Sequence, residues 1–136
     1  MNHKETKKNN IQKFIYGCRY VIVHNSDDLL TKANKSSKPN DLRRFFWGKC
    51  YIVSEAIYYH MGGKQSGYKP MNIKHENTSH WFIMSPLGSI IDETAKQYKT
   101  VPDYTKAKCK AFLPTKAKIS KRSLVFYNRV IEYLKL

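Results

Sequence analysis

The segment SHWFIMSPLGSIIDET, residues 79–94, restricts the fold of this chain more than any other stretch. Its first half alternates His80, Phe82 and Met84 with Trp81, Ile83 and Ser85, the period of two that a strand requires. Pro86 suits the second position of a type I turn and Gly88 the left-handed residue after it, which together make a three-residue hairpin loop with a bulge. Such a loop pairs Ser85 with Ser89. Counting back, Phe82 opposes Asp92 and His80 opposes Thr94, so the His80 imidazole and the Asp92 carboxylate become diagonal neighbours on one face. A two- or four-residue loop would slip the register by one and put them on opposite faces.

Upstream, GKCYIVSEAIYYHMGG carries Cys50, Val53, Ile57 and Met61 at spacings of three, four and four, one stripe of a helix that stops at Gly62 and Gly63. Cys50 stands in its first turn and faces inward. A thiol there meets the positive end of the helix dipole, which favours the thiolate, and unpaired backbone N–H groups that can bind an oxyanion. A thiol needs a base and an imidazole needs an orienting acceptor, so Cys50, His80 and Asp92 form a candidate nucleophile, base and orienter. Taken singly, each has an ordinary reading: Cys50 as core packing, His80 as a satisfied strand histidine, Asp92 as a cap for the turn that follows. Among the other imidazoles, His60 is ten positions from Cys50, some 15 Å along the helix and too far to serve it. His75 is not excluded by geometry. Trp81 and Gln97 are candidates for the substrate pocket, Trp81 fitting equally a core position on the opposite face.

GKCYIVSEAIYYH, SHWF and GSIIDETAKQY resemble the core of transglutaminase-like (papain-like) cysteine enzymes, in which a helix-borne Cys, a strand His before an aromatic residue and an Asp before a Thr form the triad. The stretch 48–122 is also similar to small uncharacterised phage-encoded proteins. What the first resemblance implies is Cys50 as nucleophile, His80 as base and then acid, and Asp92 as orienter.

Elsewhere the signals are plainer. Residues 1–10 are polar and basic and read as a disordered N-terminus. From Ile11 to Val23 the pattern predicts a short helix followed by a strand over Tyr20, Val21, Ile22 and Val23. Ser26 to Asp28 predict a brief helix through Ala33, Asn34 to Asp41 a loop, and Asp41 the cap of a turn carrying Leu42, Phe45 and Phe46. A strand is expected around Met71 to Lys74 and a helical turn over Glu93 to Tyr98. Ala111, Phe112 and Leu113 read as a short buried piece. Ser120 caps a final helix with Leu124, Tyr127, Ile131 and Leu134 as its apolar stripe. Lys121 and Arg122 occupy its first turn, where the dipole disfavours cations; they either serve an anionic ligand or cost a few tenths of a kcal/mol as an exposed pair.

At 136 residues the chain has the size of one domain, here residues 11–136. Three cysteines, Cys18, Cys50 and Cys109, with no CxxC argue for free thiols, and Cys18 and Cys109 read as structural. No apolar run is long enough to span a membrane and no secretory h-region opens the chain, which points to a cytoplasm, that of a host if the protein is phage-encoded. Cys50, His75, His80 and Asp92 are acceptable zinc ligand types. Only His75 and His80 are close along the chain, so neither metal nor cofactor is expected. The net charge of +15 comes from 20 Lys and only 5 Arg. It favours nonspecific contact with nucleic acid over base-specific readout, and it is equally the product of A/T-rich codons. The expected fold is α+β, a Cys-bearing helix on a small antiparallel sheet with a C-terminal helix closing one side. The expected function is cysteine-dependent acyl transfer of peptidase, amidase or deamidase type on a peptide or amide substrate. The alternative is a non-enzymatic basic protein that docks on nucleic acid or an acidic host protein.

Overall fold

Ile11, Phe14, Ile15, Cys18, Val21 and Ile22 are all buried, and their spacing puts them on one face of a single helix. In the computed structural model, which describes residues 3–113 and 118–135, that helix is α1, His3–His24. Two expectations are thereby corrected. The strand over Tyr20 to Val23 is helix, and helical backbone begins at His3 where composition predicts disorder. Packing against the last helix, α4 (Lys121–Leu134), is the reason: a Cβ on Gly17 would lie 2.9 Å from Val130 and 3.0 Å from Leu134. Gly17 thus lets two helices approach closely rather than ending one.

A 3-10 turn at Asp27–Leu29 leads to α2, Lys32–Ser37, which is capped by the Thr31 hydroxyl. The loop expected from Asn34 therefore begins only after Ser37. Asp41 caps the 3-10 turn Leu42–Phe45 by accepting from the Arg43 N–H. Helix α3 runs Cys50–His60, and Gly62 follows in the left-handed region at φ 107°.

Four antiparallel strands follow, β1 (Lys69–His75), β2 (Thr78–Met84), β3 (Ile90–Ile91) and β4 (Lys108–Cys109), in the order β3-β2-β1-β4. Glu76 and Asn77 both take positive φ, 47° and 64°, as a two-residue type I′ hairpin demands. The β2–β3 hairpin has the register that its turn chemistry predicts. Ile83 faces Ile91 and Met84 faces Ile90, the Ser85 N–H donates to Ser89 at 2.8 Å, and Gly88 stands at φ 89°. Beyond it, Ala111 and Leu113 are exposed and only Phe112 is half-buried, so the expected buried piece at 111–113 shrinks to one ring.

The main core joins α1, α3 and α4 around Phe14, Phe126, Ile52, Ile57 and Ile83, each fully buried side chain of this size contributing roughly 2–3 kcal/mol. Met71, Ile73 and Phe82 form a second cluster with Tyr104. Helix α4 turns Ser123, Phe126 and Val130 inward. The predicted stripe is rotated as a result: Leu124 is 36% exposed, while Tyr127, Ile131 and Leu134 flank the buried face. The fold is α+β. No helix among the described residues is long and apolar enough to cross a membrane.

Candidate active site

Cys50 is the first residue of α3, and the helix's own hydrogen bonding begins only with Val53 donating to the Lys49 carbonyl at 3.1 Å. The N–H groups of Cys50, Tyr51 and Ile52 therefore lie in the turn where a helix leaves its donors unpaired. Two devices hold this helix start. Lys49 is fully buried, and its ammonium donates to the carbonyls of Ile22 (2.6 Å) and Phe45 (2.9 Å) and to Asp27 (2.6 Å), using all three protons. Burial lowers its pKa, against the pull of Asp27. Before it, Gly48 at φ 71° sits where a Cβ would come within 2.7 Å of the Asn34 amide. The Gly48 N–H donates to Gln97 Oε1 at 3.3 Å, and Gln97 in turn donates to Thr94. Gln97, buried at 4% exposure, thus ties the thiol's turn to the chain just after Asp92.

The hairpin delivers the other two groups. His80 Nε2 donates to Asp92 Oδ2 at 2.7 Å, with both side chains inaccessible, 0% and 3% exposed. Tyr104 donates its hydroxyl to the same oxygen at 2.7 Å. Tyr98 lies edge-on to His80 with ring centroids 4.9 Å apart, and its own hydroxyl pairs with Thr78. Burial by itself pulls the imidazole pKa down, but the hydrogen bonds and charges of Asp92 and Cys50 outweigh it and push His80 up to about 9. The protonated ring is thereby held more strongly than a free imidazole would hold its proton. Its second nitrogen, Nδ1, is buried and makes no hydrogen bond of normal geometry. The Cys50 thiol contributes to the raised pKa of the ring, but no hydrogen bond joins it to Nδ1.

On its outer side Cys50 borders a cleft of about 170 Å³ with Asn34, Trp47, Gln97, Tyr98, Trp81 and Arg122 on its walls. Trp81 lines this cleft, and its ring packs on Tyr51 and Phe112 at 5.2 Å. A larger groove of about 620 Å³, with Tyr58, Tyr68, Phe112, Lys64 and Lys69 on its walls, lies away from His80 and Asp92. Its one sulfur is Cys109, which is exposed on β4 instead of structural, whereas Cys18 is core.

His75, the competing imidazole, is bound to Thr100 at 3.0 Å, and Tyr98 stands edge-on to it as well as to His80. Among the described residues no three His, Cys, Asp or Glu side chains converge as a metal centre would require. Tyr104 and Lys49 were not legible as site residues, since a tyrosine 12 positions past Asp92 and a lysine before a helix carry no signature. No protein-family model, curated protein or solved structure matches this chain.

Proposed function

We propose that this chain is a cysteine-dependent acyl-transfer enzyme of peptidase, amidase or deamidase type, acting on a peptide or amide substrate. One observation carries the reading: a fully buried imidazole is bonded on one nitrogen to a carboxylate, and Cys50, which lines a cleft at the start of α3, helps to raise that ring's pKa. His80 takes the Cys50 thiol proton as the sulfur attacks the carbonyl carbon, the carbonyl π electrons move to oxygen, and first-turn N–H groups of α3 receive that oxyanion. Collapse expels the amine, which takes the proton from His80, and leaves a thioester on Cys50. Water or a second amine then attacks the thioester, giving its proton to His80, which returns it to the departing Cys50 sulfur. Asp92 holds the ring's orientation throughout. Three unpaired thiols suit a reducing cytoplasm, that of a host if the chain is phage-encoded.

Incubation with p-nitrophenyl acetate tests this. The expected result is a burst of one equivalent of nitrophenolate with one acetyl group on Cys50, lost in Cys50→Ser and slowed about 100-fold or more in His80→Ala. Acetylation confined to lysines would refute it. A second reading, a basic binder without enzymatic activity, is favoured by the aromatic groove where Lys64, Lys69 and Lys118 surround Tyr58, Tyr68 and Phe112. Steeply salt-dependent retention on single-stranded DNA together with an inert Cys50 would select it.

A further inference from the structure

The walls of the thiol cleft carry a single charged side chain among the described residues, Arg122. Its Nη1 donates to the Leu29 carbonyl at 2.7 Å, which fixes the guanidinium plane and leaves four of its five N–H donors for other partners. The neighbouring carboxylates are committed elsewhere. Glu55 accepts from both the N–H and the hydroxyl of Ser120, and Asp92 is enclosed with His80 and Tyr104. Arg122 stands in the first turn of α4, whose end is already met by Glu55 through Ser120, so its guanidinium is the cation left facing the cleft that the α3 start also borders. A guanidinium with free donors pairs bidentately with a carboxylate. Asn34, on the same wall, adds an uncharged amide able to bond such an anion from another side.

We propose that Arg122 selects substrates bearing a carboxylate next to the reacting carbonyl, so that the preferred acyl donor is a peptide with an acidic residue or a chain terminus at that position. The assignment rests on the acyl-transfer reading for its chemistry, but a binding preference can be measured without turnover. Iodoacetate and iodoacetamide differ by one carboxylate, and both alkylate a thiol by the same step: sulfur bonds to the methylene carbon as iodide leaves with its electron pair. Exposed Cys109, in the same molecule, reports the influence of the overall charge of +15.

The iodoacetate-to-iodoacetamide rate ratio, read by peptide mass spectrometry, is expected to be about tenfold higher at Cys50 than at Cys109, the size of one charge-assisted pair. Arg122→Met removes that excess, read as the ratio of the two reagents so that any change in thiol reactivity itself cancels, and leaves the ratio at Cys109 unchanged. Arg122→Lys, which keeps the charge without the fork, retains part of it. Equal ratios at the two thiols of the unaltered protein would overturn the proposal whatever the variants do, as would an excess that survives in folded Arg122→Met. A Cys50 that alkylates slowly with both reagents and is indifferent to His80→Ala would instead count against the acyl-transfer reading, leaving the ratio interpretable.

Discussion

Raising the pH through the titration of His80 should unfold the protein by an amount that the site geometry sets. The ring titrates at about 9 in the folded state against an ordinary 6.5. A raised folded pKa means that the stabilisation is fully present below about 6.5 and is lost as pH rises through about 9. In that window the native ring holds up to one proton more than the unfolded one, so the contribution of His80 to stability falls by about 1.4 kcal/mol per pH unit. The difference, 9 minus 6.5, gives 2.5 units and a total of about 3 kcal/mol. His80 is 0% exposed, so solvent screening does not reduce this figure. Urea unfolding followed by the fluorescence of Trp47 and Trp81, at fixed ionic strength across the window, measures it. The quantity to compare is wild type minus His80→Gln, because the approach to the isoelectric point near 9.8 relieves charge repulsion equally in both. A difference that is flat with pH, or that grows toward alkaline pH, would refute the raised titration of His80.

Tyr104→Phe removes one of the two donors to Asp92 Oδ2 and should cost about 1 kcal/mol in the same unfolding assay. It should also move the His80-dependent loss of stability to higher pH; if neither quantity changes, Tyr104 plays no part in holding the pair. Lys49→Met strips the buried carbonyls of Ile22 and Phe45 of their donor, with an expected loss of about 3 kcal/mol and slower alkylation of Cys50. Wild-type stability with an unchanged alkylation rate would show that the ammonium does not anchor the helix start.

The hairpin was readable because everything that sets its register is local. Pro86 and Gly88 fix the loop, and the pleat does the rest, bringing His80 and Asp92 to 2.7 Å across a strand pair. Helix α3 was readable for a similar reason, its stripe ending at two glycines. Helix α1 was not, because Tyr20 to Val23 is a run of strand-favouring residues whose helical state depends on α4 lying over Gly17, 113 positions from Val130. The inward face of α4 was misjudged by about one step because Ser123, a polar residue, is among its buried positions, paired with Ser120. Strand β4 spans only Lys108–Cys109 and leaves no periodic trace. Within the site, charge misled: Lys49 reads as surface by type, and only the assembled fold shows three oxygens waiting for it.

Enclosure of the His80 ring has a consequence for proton traffic. One nitrogen is occupied by Asp92, the other is buried as well, and the ring has no contact with solvent. Hydronium, buffer ions and imidazole-directed reagents have no direct route in. Exchange at this ring then waits on movement of the side chains that enclose it.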